Sequence, residues 1–276
     1  HSGPPRDSTP KVLTPSADGV TVYQNDLASI DASNTSQGYV MVKYNGTNEK
    51  VKLQITCPDQ SCYTYLISDR GAYDTFPLTA GNGSYALQVL ENVAGDTYTV
   101  SLAQSINVSI EDEFLPFLYP NQYVNFHTDS KAVSKGSDLA KDTYSDLDVV
   151  QNIYNYVIKN ISYDTEKAQN VSYGYVPDID DTLSSKKGIC FDYAALMTSM
   201  LRSQNIPTKL EVGYSGDAYH AWISTYIDDK GWVDDIIQFN GDSWQIMDPT
   251  LAATNDSAAV KKYVGDGSHY VVKYTY

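Results

Sequence analysis

No apolar run in this sequence approaches the ~18 residues that a membrane-spanning helix needs, so insertion by helices is not expected. Basic residues are scarce. There are 19 Lys and Arg, only three of them Arg, against 34 Asp and Glu, for a formal charge of -15. A surface this acidic repels phosphates and argues against nucleic acid or an anionic membrane as partner. With four His and no paired His/Cys motif, a zinc site is not expected either. The acidic cluster Asp178-Ile-Asp-Asp181 lacks the alternating oxygen ligands and loop glycine of a calcium site and reads as a solvated loop. No metal or cofactor is implied. An initiator Met and a signal peptide are both missing, so the chain reads as trimmed. Residues 1–15 are expected to be a disordered leader or tag remnant.

Cysteine is equally sparse, at three. Cys57-Pro-Asp-Gln-Ser-Cys62 has a spacing that suits either a small disulfide across a hairpin or two free thiols on neighbouring strands. Cys190 has no sequence neighbour to pair with. What the chain has in quantity is apolar residues, 42%, and 24 tyrosines. Tyr, Ser, Thr, Asn and Asp dominate its first half, a composition associated with exported β-rich bacterial proteins. An extracellular or cell-surface location is the expectation.

The hydrophobic period divides the chain. Between Val20 and Ile110 it is two residues. Val51, Leu53 and Ile55 fall on one face, and further strands are expected at Gly38 to Tyr44, Tyr63 to Ile67, Tyr85 to Glu91, Thr97 to Leu102 and Ile106 to Ile110. Short strands separated by Gly-rich turns predict an immunoglobulin-like β-sandwich over residues 16–110. Residues 111–130 read as an aromatic connector, because Phe114-Leu-Pro-Phe-Leu-Tyr-Pro120 is too apolar to stay in water. It is expected to pack against the second domain. From residue 131 to 276 the pattern is α+β. A short helix is expected to start at Ser137 and a second near Asp146, with Val149, Val150, Ile153, Val157 and Ile161 on one stripe. A third begins near Cys190 and ends ahead of Ile206-Pro207. Strands follow at Thr208 to Tyr214, Tyr219 to Ile227, Ser243 to Met247 and His269 to Tyr276.

Three short motifs in the second domain carry chemistry. In Lys187-Gly-Ile-Cys-Phe-Asp192 the cysteine falls at a helix start, where unpaired N–H groups and the positive dipole end favour a thiolate. The backbone N–H of Cys190 also stands ready for an oxyanion. His220 opens a strand in Tyr219-His-Ala-Trp222, with Trp222 on its face. His127 and His269 sit beside no motif and read as structural or surface residues. Pro249 stops a strand and leaves Asp248 at its end, where a carboxylate would fix an imidazole tautomer. Each motif has an ordinary reading: a buried thiol, a structural His, a turn.

Taken together, Asn160-Ile-Ser-Tyr-Asp164, Gly188-Ile-Cys190, Leu201-Arg202, Ile206-Pro207, His220-Ala-Trp222 and Asp248-Pro-Thr250 resemble the transglutaminase-like superfamily. The resemblance covers roughly Asp146 to Leu251. It implies a papain-like core in which Cys190 is nucleophile, His220 general base and Asp248 the orienting residue. Ser224 departs from a position that is often acidic in relatives. Tyr163, Tyr173, Tyr175 and Trp222 are candidates for the second oxyanion donor or for substrate contact. For His220 and Asp248 to meet, their strands must pair directly, with Asp228 to Asp242 looped out. The expected reaction is acyl transfer through a thioester on Cys190, with water or an amine as acceptor, on a peptide or cell-wall-type substrate. The competing expectation is a catalytically silent cell-surface binding module. Oligomeric state is not legible in the sequence.

Overall fold

The computed structural model describes residues 3–215, 218–248, 251–252 and 273–276. The chain divides into two compact units, residues 14–122 and residues 1–13 with 123–276.

The first unit is built from strands whose alternate residues are apolar. In β4 (Val51–Thr56) Val51, Leu53 and Ile55 are buried while Lys52, Gln54 and Thr56 are half-exposed. Each buried aliphatic contributes about 2 kcal/mol. Two four-stranded antiparallel sheets result. One has the order β1 (Val22–Gln24), β2 (Ala28–Asp31), β3 (Tyr39–Tyr44), β6 (Asp74–Pro77); the other runs β5 (Cys62–Leu66), β4, β7 (Gly83–Ala94), β8 (Thr97–Val108). Tyr65 of one sheet meets Phe76 of the other edge to face at 4.9 Å, so the two close on a shared core. The two strands expected at 97–102 and 106–110 are a single β8, which pairs with β7 through two register shifts. Strands β1, β2 and β6 are too short to show a period. Cys57 and Cys62 flank the β4–β5 turn as free thiols, one buried and one exposed. The aromatic segment packs on its own sandwich: Tyr119 meets Tyr39 at 4.8 Å, and Gln122 N bonds Thr75 O at 3.0 Å.

The second unit sets helices α1 to α5 against a sheet whose order among the described residues is β14-β13-β12-β11-β15. The helices are α1 (Lys131–Ala140), α2 (Asp146–Asn160), α3 (Thr165–Asn170), α4 (Ile179–Ser185) and α5 (Cys190–Ser203). The strands are β11 (Thr208–Ser215), β12 (Ala218–Ile227), β13 (Gly231–Phe239), β14 (Trp244–Ile246) and β15 (Lys273–Thr275). A short parallel pair, β9 (Ser162–Tyr163) and β10 (Lys187–Gly188), precedes α5. Helix α1 starts six residues before the expected Ser137. Its first N–H groups, of Lys131 and Ala132, bond the carboxylate of Asp180 at 3.0 and 3.1 Å. A cap donated from 48 residues away leaves no local signal. The acidic cluster is thus a set of helix caps, since Asp178 also accepts from Asp181 N at 3.1 Å.

Residues 3–13 are not a loose leader. Arg6 Nε bonds Asp146 at 2.6 Å, Lys11 N bonds Ser203 O at 2.8 Å, and Gln204 Nε2 bonds Ser8 O at 2.9 Å. Among the described residues no helix is long and apolar enough to cross a membrane. The expected strand from His269 lies partly outside the described residues, as do Pro249, Thr250, His1 and Ser2.

Candidate active site around Cys190

Cys190 is the first residue of α5 and is half-buried. What holds that helix start is Asp192, whose side chain is fully buried. It accepts from Ile189 N at 3.0 Å, from the Lys167 ammonium at 2.8 Å and from the Tyr175 hydroxyl at 2.6 Å. Helix α3 and the loop after it are thereby tied to the turn that presents the thiol. Burial lowers the Lys167 ammonium, but its bonds to Asp192 and Tyr175 outweigh that and leave it raised. Gly188 is required here by space: a Cβ would come 2.8 Å from that of Asp192.

The thiol is not the standing thiolate expected of a helix start. Burial pushes it up to about 12, aided by the charge of Asp192. The backbone N–H groups of Phe191 and Cys190 act in the opposite sense but are outweighed.

Strand β12 passes in front of α5. Ala221 and Ile223 belong to the core that α5 completes, and Tyr219 and Cys190 pack against the same core. Burial holds the Tyr219 phenol well above its usual value, and a Cys190 thiolate would raise it further, so the two groups lie within electrostatic reach. His220 is the next residue, one Cα step of about 3.8 Å along the chain. Its imidazole stacks on Trp222 at 5.5 Å, and burial lowers it below the ordinary histidine value. Trp222 is buried under the Lys273 ammonium, 4.3 Å from the ring centre.

The looped-out excursion does not occur. Residues 231–239 form β13, which pairs with both β12 and β14. The sheet is a plain meander, because Ile236, Ile237 and Phe239 supply apolar residues that the core buries. Ala221 faces Phe239, which faces Trp244, so the register puts His220 level with Asn240 and Ser243. Asp248 lies five residues further on, two strands across. At about 3.3 Å per residue and 4.8 Å per strand the separation is about 19 Å. The register thus sets Asp248, an exposed residue, well along the sheet from His220. The group brought there is the β13–β14 turn. A Cβ on Gly241 would stand 3.7 Å from His220 Nε2, and Asn240 Oδ1 closes the turn by accepting from Asp242 N and Ser243 N at 3.1 and 3.0 Å.

The remaining candidates separate by their contacts. Tyr175 is committed to Asp192, Tyr173 is 70% exposed, and Tyr163 is 48% exposed though within electrostatic reach of Cys190. Ser224 is buried, and its hydroxyl accepts from Asp235 N at 2.8 Å where β13 bulges through a left-handed Asp235. Sequence reasoning missed Lys167, Asp192 and Tyr219. Only Asp192 carried a local signal, an acidic residue at the third position of a helix.

Residues 134–234 match the sequence model of the transglutaminase-like superfamily. That segment is similar to a transglutaminase-like domain. Two curated proteins are similar to part of this chain. UPF0252 protein MJ1282 of Methanocaldococcus jannaschii is 32% identical over 98 residues, 31% of this chain and 28% of that protein. Kyphoscoliosis peptidase of Mus musculus is 30% identical over 107 residues, 34% of this chain and 16% of that one. The chain thus spans less than a third of the length of either. Among solved structures, a candidate cysteine protease from Cytophaga hutchinsonii is 15% identical with a TM-score of 0.38, over 78% of this chain and 68% of that one. A candidate protease from Parabacteroides distasonis is 14% identical with a TM-score of 0.32, over 73% of this chain and 61% of that one.

Proposed function

We propose that the second unit is a cysteine-dependent acyl-transfer catalyst acting on peptide-type substrates, with Cys190 as nucleophile and His220 as general base. The observation that carries this reading is Cys190 at the first turn of α5, inside the segment that matches the transglutaminase-like model. A neutral imidazole takes the thiol proton as Sγ adds to the acyl carbon, and returns it to the leaving group as that bond breaks. The resulting thioester passes its acyl group to water or to an amine, regenerating the thiol. The Asn240–Ser243 turn, rather than Asp248, orients the imidazole through Nε2.

Alkylation of Cys190 by iodoacetamide tests the pair, with Cys62→Ser removing the exposed competitor and peptide mapping locating the label. Labelling is expected to slow strongly in His220→Ala; labelling indifferent to His220 sinks the base assignment. With p-nitrophenyl acetate, Asn240→Ala is expected to slow acylation by about tenfold or more, Asn240→Asp to recover it, and Asp248→Asn to leave it unchanged. The opposite pattern would return the orienting role to Asp248. Incubating a peptide mixture with a primary amine and weighing the products separates hydrolysis from transamidation.

A second reading is favoured by the protonated thiol: a silent surface-binding module that keeps the fold. It requires that neither reagent distinguish the His220 variant.

A further inference from the structure

An open sheet edge leaves a row of main-chain N–H and C=O groups to be answered, and folded proteins keep such edges short, charged or covered. Three of the four edges of the sandwich are short: β1, β5 and β6 have 3, 5 and 4 residues. The fourth is not. β8 is an edge strand of 12 residues, paired only with β7 among the described residues. No charged residue and no proline falls between Thr97 and Ile110, in a chain whose formal charge is -15. The neighbouring strand is equally uncharged from Gly83 to Leu90. We propose that β8 pairs antiparallel with β8 of a second copy of this chain, about a two-fold axis at Ser105. This surface lies in the first unit and is independent of the chemistry at Cys190.

The ladder fixes which main-chain groups face the open edge. Cys57 N bonds Ser61 O at 2.8 Å and Ile67 N bonds Val51 O at 2.9 Å, so the odd-numbered residues of this stretch bond towards β5. Successive residues of an antiparallel strand bond to opposite sides. The even-numbered residues of β4 therefore bond Ala86, Gln88 and Leu90 of β7, which leaves Tyr85, Leu87 and Val89 to bond β8. Their partners are Ile106, Gln104 and Leu102, so the N–H and C=O groups of Ala103, Ser105 and Asn107 point out of the sheet. Side-chain amides stand in for a neighbouring strand: Asn25 Nδ2 donates to Ser101 O at 2.6 Å, and Gln104 Nε2 to Ser105 O at 2.9 Å. The side chains are open as well. Leu102 and Gln104 share a face with buried Ile106 and Val108 yet are half-exposed, and Ala103, Ser105 and Asn107 are exposed.

From Leu102 to Val108 the register with β7 is unbroken, a stretch about 24 Å long. An antiparallel copy centred on Ser105 sets Leu102 of each strand opposite Val108 of the other, and Ala103 opposite Asn107. The three outward residues are then answered by about six main-chain bonds. No like charges meet, whereas elsewhere two chains this acidic repel. Each copy has one long edge, so pairing closes at two. This self-match selects a second copy over a strand of another protein.

A contact of this length is weak, so it is read by sedimentation equilibrium from about 5 to 300 µM, in reducing buffer and with Cys62→Ser to exclude linkage through the exposed thiol. The average mass is expected to rise from that of one chain towards that of two. Ser105→Pro removes the N–H at the axis, which takes no part in the ladder to β7, and should weaken pairing about tenfold or more. Ser105→Asp and Ser105→Lys set like charges opposite each other and should each weaken it about fivefold, while an equimolar mixture of the two should pair at least as well as the parent. If the proline variant loses its far-ultraviolet circular dichroism, the two charge variants decide. One chain's mass at every concentration overturns the proposal and leaves the edge to a strand of another protein. A dimer that the substitutions leave unchanged overturns it too, by placing the contact elsewhere.

Discussion

Replacing Asp192 with Ala should damage the fold and the thiol environment in opposite senses. The carboxylate is fully buried and answers three donors. Losing the acceptor for Ile189 N–H, a cap at the helix start, costs about 1 kcal/mol. The Tyr175 hydroxyl, half-buried, loses its acceptor at a cost of about 1 kcal/mol. The Lys167 ammonium is 28% exposed and can turn to water, so its share is held to about 1 kcal/mol rather than that of a closed pair. The total, about 3 kcal/mol, sits at the low end of what breaking a buried ion pair costs. With a urea dependence of about 2 kcal/mol per molar, the midpoint should fall by about 1.5 M. All three tryptophans, Trp222, Trp232 and Trp244, belong to this unit, so their fluorescence reports its unfolding apart from the sandwich. Asp192→Asn keeps one acceptor oxygen and should lose about 1 kcal/mol. Because the Asp192 charge raises the Cys190 thiol, the Asn variant should also alkylate faster than the parent at equal pH. An Ala variant with an unmoved midpoint refutes the anchoring role, and an Asn variant that alkylates no faster refutes the electrostatic one.

Gly188→Ala should be destabilised by about 1–3 kcal/mol in the same fluorescence assay, since its Cβ would come 2.8 Å from that of Asp192 and 3.2 Å from Thr182 Cγ2. Arg202→Met should cost about 1–2 kcal/mol by leaving Thr208 O without the guanidinium that serves it at 2.8 Å and by removing one of two donors to Tyr276 O, which keeps Leu210 N. Burial lowers the His220 imidazole, so the unfolded chain binds its proton more readily than the native one. Its contribution to stability is then intact above the ordinary histidine value of about 6.5 and declines as pH falls below it; the acid limb of kcat/KM should lie below that value too. An acid limb above 6.5 contradicts the burial of the base.

Strongly periodic segments were readable in the sequence. The stripe Val149, Val150, Ile153, Val157 predicted α2 to its first residue, because Ser145 and the acidic first turn mark the start locally. Alternation in β4 and β12 likewise predicted strands that the structure contains. The start of α1 was misplaced because its cap arrives from Asp180, and the leader was misjudged because Arg6 finds Asp146 and Gln204 only after folding. Strand β13 was missed for a different reason. The looped-out segment was assigned from the demand that Asp248 reach His220, while Ile236, Ile237 and Phe239 already asked for a buried strand. A functional requirement was allowed to override an apolar pattern, and the pattern was right.

The same weighing of magnitudes decides how Cys190 could work. A helix N-terminus is worth about 0.3–1 kcal/mol to a nearby negative charge, up to about 2 when partly buried. Burial of a titratable group shifts it by as much as about 3–5 pH units when complete, each unit worth about 1.4 kcal/mol. At Cys190 burial wins, and the thiol stays protonated. On the proposed mechanism the helix start acts not by storing a thiolate but by stabilising charge as it forms, which is where a rate is gained. A protonated thiol attacks only with a base beside it, and a base lowered by burial is ready to accept at neutral pH. On the proposed mechanism, burial of both groups makes Cys190 and His220 a neutral pair, not a resting ion pair, and reactivity follows the imidazole. The pH profile of alkylation distinguishes the two: a neutral pair gains reactivity as His220 deprotonates, whereas a resting ion pair is already reactive well below that point.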